Sequence, residues 1–292
     1  MIFPILHTSD FARNFLQTDG SGTVHSVYRK TINIQINGQL MALQAIHSPL
    51  SPISLITDLS QEEMASLGVT SAMVVRVDPA HSLLGIYENA SSIEPAAVFS
   101  FDNALTRDLG LSAHLTRESI SNLAREIHQA LRRTSTGGFS MLISDPEDSL
   151  ENLMLQAADK RMTAAHAHYI DSQMIPAARD LCGLIGLGTG LTPCGDDFLC
   201  GVLAGLILTG KEEETFSQAL HTQIAEHLTD TNAISAAFLL CALDGQFSAA
   251  VNSLTSLPDA GKILKDFLAI GHSSGTDTLC GILWALSLTE ET

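Results

Sequence analysis

The sequence predicts an α+β protein, with a small N-terminal β-barrel or sandwich over residues 1–105 and a larger all-α domain over residues 106–292. Three observations support this reading. β-branched and apolar residues alternate between residues 25 and 101, apolar residues take three- and four-residue spacing after Asp102, and the C-terminal part carries an internal repeat that predicts a pseudo-twofold pair of buried helices.

In the first domain, residues 26–36 (Ser-Val-Tyr-Arg-Lys-Thr-Ile-Asn-Ile-Gln-Ile) read as a strand run, and residues 39–43 as its partner. The intervening Asn37-Gly38 is a strong hairpin signal, because both central residues of a type I′ turn need positive φ. Residues 71–77 and 83–87 are further strands, with Asp78-Pro79 marking the turn between them. In the second domain, residues 119–133 and 149–170 have helical spacing, the latter with a start signal in Pro146-Glu147-Asp148-Ser149. Further helices are expected near residues 211–228, 232–243 and 260–268.

Composition narrows the function class. Fifteen Lys and Arg against 32 Asp and Glu give a formal charge of −17, which disfavours nucleic-acid and anionic-membrane partners, since both require clustered positive charge. The longest apolar runs, near residues 198–208 and 279–288, are short and broken by glycine, so no membrane span is expected. Five cysteines, all between residues 182 and 280, have neither CxxC spacing nor a partnered His pair, which argues against a disulfide framework or zinc site. A cytoplasmic protein is the expectation.

The repeat carries the chemistry. Residues 192–206 align without gaps on residues 272–286 at an offset of 80, with seven of fifteen positions identical: 195/275, 197/277, 199/279, 200/280, 201/281, 203/283 and 206/286. Each copy reads as a Gly-bearing loop, an acid in the first helical turn and a very apolar helix. Gly201 and Gly205, or Gly281 and Ala285, fall four apart on one helical face, where small residues let two backbones approach. The two helix N-termini are then expected to converge, and unpaired N–H groups at such ends attract anions.

Gly188, Gly190, Thr192, Gly195, Ser274 and Gly275 are therefore candidate anion-binding residues, with Thr231, Ser235 and Arg29 as further ligand contacts and Arg179 as a second basic candidate. Asp196, Asp197, His272 and Asp277 are the candidate catalytic residues. The three acids could also hold Mg²⁺, the one cofactor the sequence suggests. Simpler roles compete: acids in a first turn complement the helix dipole, and Thr192-Pro193 reads as a cap followed by Pro at the first helical position. Cys194, at a helix start, is a candidate low-pKa thiol. Cys200, Cys241 and Cys280 read as core.

At these residues the sequence resembles the AllH family, a subunit of bacterial oxamate carbamoyltransferase. The resemblance rests on the Gly186-x-Gly188-x-Gly190-Leu191-Thr192-Pro193-x-Gly195-Asp196-Asp197 block, on Thr231 with Ser235 and the downstream Gly245, and on Gly271-His272-x-Ser274-Gly275-x-Asp277-Thr278-Leu279-x-Gly281. It departs at Thr189 and Cys194, where the family pattern has Pro and Ser, and covers the N-terminal strands only loosely. It implies carbamoyl transfer between oxalurate plus phosphate and oxamate plus carbamoyl phosphate in allantoin degradation, with other carbamoyltransferase subunits as partners. Two other readings stand beside it: a Mg²⁺-dependent all-α hydrolase like the ADP-ribosylglycohydrolases, and a non-catalytic metabolite-binding subunit.

Overall fold

The structure, a computed structural model, describes residues 2–134, 137–144 and 152–289. The chain divides between Leu109 and Gly110 into two units.

The first unit is a closed β-barrel. Its strands are β1 (Ile2–Ser9), β2 (Gly20–Tyr28), β3 (Thr31–Ile36), β4 (Gln39–Gln44), β5 (Ser54–Thr57), β6 (Val74–Asp78), β7 (Leu83–Tyr87), β8 (Ala97–Ser100) and β9 (Leu105–Arg107). Eight of them follow one another as β5-β4-β3-β2-β6-β7-β8-β1, and an antiparallel β1–β5 pairing closes the ring. Closure leaves no long free edge, and inward side chains such as Ile34, Met41, Leu55, Val75, Leu84 and Phe99 fill the interior. The first half of β1 pairs in parallel with β8 and its second half with β9. Helix α1 (Asp10–Leu16) follows β1 directly, and α2 (Gln61–Ser66) opens with a complete capping box between Ser60 and Glu63.

The Asn37-Gly38 turn is as expected, with φ of 50° and 84°. The run over residues 26–36 is not one strand. It folds back at Arg29-Lys30, so that Tyr28 faces Thr31 and Val24 faces Ile34. Alternation lapses there, with Arg29, Lys30 and Thr31 polar in succession, but no Gly, Pro or Asn marks the turn.

The second unit is helical among the described residues. Helix α3 (Arg117–Leu131) leads to a single 3₁₀ turn (Gly138–Ser140) and α4 (Met141–Ser144). Then follow α5 (Leu153–Ile170), α6 (Met174–Cys182), α7 (Cys194–Leu208), α8 (Thr215–Glu226), α9 (Ala233–Leu243), α10 (Ala249–Ser253), α11 (Ala260–Leu268) and α12 (Ser274–Ser287). The start signal at residues 146–149 lies outside the described residues; α5 is capped instead by Asn152, whose Oδ1 accepts from the Met154 and Leu155 N–H groups. No helix among the described residues is long and apolar enough to cross a membrane.

Helices α7 and α12 are apolar nearly all round and lie at the centre of this unit's core. They cross at the predicted small-residue stripe. A Cβ on Gly201 would collide with the Thr278 carbonyl, and a Cβ on Gly281 with the Phe198 carbonyl. Residue 198 is the repeat equivalent of 278, and 201 of 281, so the two contacts are reciprocal, as a local twofold requires. One turn further on, a Cβ on Gly205 would sit 2.6 Å from the Ala285 Cβ.

Candidate functional site

The crossing brings the first turns of α7 and α12 together, and with them the equivalent acids Asp197 and Asp277, both buried. Asp277 Oδ1 accepts a 2.6 Å hydrogen bond from the Phe139 N–H, in the loop opened by Gly137 and Gly138. That loop needs its glycines: φ is positive at both, and a Cβ on Gly138 would strike the Asp277 carboxyl. Beside Asp197 the hydroxyls of Thr192 and Ser274 bond each other at 2.6 Å. One oxygen of each acid, Asp197 Oδ2 and Asp277 Oδ2, is buried with no hydrogen-bond partner among the described residues. Two unsatisfied buried carboxyl oxygens in one cluster are costly in a folded protein, and groups left so are concentrated where a ligand completes them.

Burial pushes the Asp277 carboxyl up to about 6, against the pull of hydrogen bonds from Cys194, the Phe139 N–H and Ser273. Asp197 is raised well above the usual carboxylate range by burial and by the nearby Asp277 charge, while Ser274 and Thr192 pull the other way. For both acids burial therefore favours the protonated form, and for Asp197 the Asp277 charge adds to it.

The other predicted residues take different places. Asp196 is turned away from the pair: its Oδ1 accepts from the Gly186 N–H at 2.9 Å, and its Oδ2 from the Thr231 and Ser235 hydroxyls at 2.6 and 2.7 Å. Thr231 and Ser235 thus tie α9 to the start of α7 rather than facing a ligand. Replacing Asp196 with Ala is expected to leave those donors unpaired and to cost about 3 kcal/mol, measured by urea unfolding. Retention of full stability would show that the three bonds are dispensable.

Gly195 and Gly275 are packing positions. Their Cβ atoms would strike the Leu184 and Phe267 carbonyls, and the Gly195 N–H is already given to Leu187 O at 2.9 Å. Gly186, Gly188 and Gly190 do form a loop of positive φ ahead of α7. Thr192 is not the helix cap: α7 starts at Cys194, with Pro193 in the cap position. His272 is exposed in the loop before α12. Arg29 belongs to the first unit, where its guanidinium pairs with Glu62 at 3.0 Å, and Arg179 is exposed on α6.

The Cys194 thiol is pushed up to about 12, by burial and then by the Asp277 charge, so the helix start does not make it a ready thiolate. Among the described residues no group of three or more His, Cys, Asp or Glu is placed to hold a metal ion, and Asp196, the third acid of the Mg²⁺ set expected from the sequence, is bonded to Gly186, Thr231 and Ser235 instead. All five cysteines are free; Cys241 and Cys280 are buried as expected, and Cys200 is half-buried.

Two family models match the chain: oxamate carbamoyltransferase subunit AllH over residues 184–286, and the AllH family N-terminal domain over residues 5–104. The chain belongs to the AllH family. The first match spans the glycine loop, both central helices and the acid pair, and the second spans the barrel through β8. No solved structure matches the chain.

Sequence reasoning missed three contributors to this AllH site: the Phe139 N–H, Gly138 and Ser273. The Gly137-Gly138 pair was the available signal for the first two. A cavity of about 370 Å³ is lined chiefly by apolar groups, Phe139, Phe198, Cys280 and Trp284 among them, and by neither Asp197 nor Asp277.

Proposed function

We propose that this chain is the carbamoyl-binding component of an oxamate carbamoyltransferase, acting in the conversion of oxalurate and phosphate to oxamate and carbamoyl phosphate within a multi-subunit enzyme. The observation that carries this reading is the pair of unpartnered Oδ2 atoms on Asp197 and Asp277, inside the segment matched by the AllH model. A carbamoyl NH₂ has two N–H donors, and the two unpartnered carboxyl oxygens are acceptors for one each. That arrangement fixes the plane of the carbamoyl group, which is the part common to oxalurate and carbamoyl phosphate.

The reaction forms a bond from a phosphate oxygen to the carbamoyl carbon and breaks the bond from that carbon to the oxamate nitrogen, which must gain a proton. Buried carboxyls whose protonated form is favoured are suited to supply it, and the Asp277 value of about 6 lies close to a working pH. We assign the anionic end of the substrate to the positive-φ glycine loop at 186, 188 and 190 and to the Thr192 and Ser274 hydroxyls.

The test is carbamoyl phosphate formation by the assembled subunits, with wild-type chain or Asp197→Asn, and with and without Mg²⁺. A fall in kcat of about 10²-fold or more in the variant is expected. Full activity would overturn the role of the acid pair, and would favour a scaffolding subunit whose partner performs the transfer.

A further inference from the structure

We propose that the barrel unit carries a second, separate binding site for a small oxyanion, a carboxylate or phosphate compound, held by His7, His47 and Arg107. A cavity of about 360 Å³, within the range of small-molecule sites, opens in this unit. Its nitrogen-bearing wall comes from three separate elements: His7 from β1, His47 from the loop after β4, and Arg107 from β9. The rest of the lining is Leu and Ile side chains with Ser48, and no carboxylate lines it. In a chain with 32 acidic residues and 15 basic ones, a pocket with three cation-capable side chains and no acid is a concentration of positive potential where the overall composition disfavours one.

The arginines of this unit point the same way. Arg13 donates to the Ala104 carbonyl and the Thr106 hydroxyl, Arg29 pairs with Glu62, and Arg76 donates to the Ser92 and Ala90 carbonyls and stacks on Tyr87. The guanidinium of Arg107, the fourth, has no hydrogen-bond or ion-pair partner among the described residues. Its planar guanidinium is the side chain best suited to grip a carboxylate or phosphate with two parallel bonds.

The backbone holds the set in place. In the β1–β9 ladder Ser9 faces Arg107 and His7 faces Leu105, while across β1 and β5 His7 faces Ile56, which also lines the cavity. His47 is held at φ 65°, an uncommon conformation for a residue with a Cβ, and such residues are enriched at binding sites. The turn that holds it is fixed on both sides: Ile46 N–H donates to Leu59 O, and both the N–H and the hydroxyl of Ser48 donate to Ala45 O. The Ser48 proton is thereby used, which leaves recognition to the two imidazoles and the guanidinium.

The test is NMR of the His7 and His47 side chains in the full-length chain, titrated with inorganic phosphate or with oxamate at constant pH and ionic strength. Saturable shifts of both imidazoles are expected, weakened about tenfold or more by Arg107→Gln and unchanged by Asp277→Asn. A response to only one of the two anions supports the site and assigns its class. Shifts that do not saturate, that sodium chloride reproduces, or that survive Arg107→Gln undiminished would overturn the proposal. Because the Asp277→Asn arm leaves the barrel intact, failure here is distinguishable from failure of the carbamoyl-binding reading. His47→Gly, which keeps the positive φ without a ring, should weaken the response as Arg107→Gln does.

Discussion

Asp277→Asn is expected to make the protein more stable above about pH 6 while removing its contribution to carbamoyl transfer. The sign follows from the raised acid. In the folded state the carboxyl titrates at about 6, against 3.8 when unperturbed, chiefly because burial penalises the charge. Below the unfolded value both states are protonated and the group costs nothing. As pH rises through the window between 3.8 and about 6 the unfolded state ionises first, so stability falls, and it stays low above the folded value. The gap of about two pH units corresponds to roughly 3 kcal/mol. Asparagine carries no charge and can still accept the Phe139 N–H at Oδ1, so the variant escapes this loss. It also turns the unpartnered acceptor into an N–H donor, which would confront the substrate NH₂ with a like group. Urea unfolding at about pH 4.5 and about pH 7.5 should show the variant more stable by about 1 kcal/mol at the first and by up to roughly 3 kcal/mol at the second. Destabilisation at both would mean that Asp277 is a structural acid whose charge the fold requires.

Gly281→Ala should be among the most damaging single-methyl additions in the chain. The new Cβ would meet the Phe198 carbonyl and lie 2.9 Å from the Val202 nitrogen, both backbone atoms of the facing helix that cannot rotate away. Helices α7 and α12 would have to separate along the stripe that positions the acid pair, at a cost of about 3 kcal/mol or more. Gly190→Ala is the control: φ there is 103° but nothing lies within 4 Å of the added carbon, so only backbone strain of about 1 kcal/mol is expected. The single tryptophan, Trp284, sits on α12 and reports the unfolding of this unit by fluorescence. Equal stability of the two variants would contradict the close helix contact.

The repeat made the centre of the site legible because it is a local property of the sequence. An offset of 80 pairs Asp197 with Asp277 and Gly201 with Gly281, and a twofold crossing then brings both pairs together. Asp196 stands beside Asp197 in the chain but has no acidic equivalent, since Thr276 occupies its place in the second copy. Its structural role depends on donors 10, 35 and 39 residues away, which no short motif announces. The Phe139 N–H is a backbone group and leaves no trace in residue type. In the barrel, hairpins were readable where a turn carries Asn-Gly, whereas the closure of β1 on β5 and β8 joins distant segments, one of them interrupted by Pro4.

The most direct test of the central claim is equilibrium binding of oxalurate to the assembled enzyme, comparing wild type with Asp197→Asn and Asp277→Asn by isothermal titration calorimetry. If the two free carboxyl oxygens receive the carbamoyl NH₂, each substitution weakens oxalurate binding by about tenfold or more, the scale of a lost hydrogen bond that leaves a donor unpaired. Unchanged affinity in both variants would place the carbamoyl group elsewhere and leave the acid pair as an internal feature of the helix crossing.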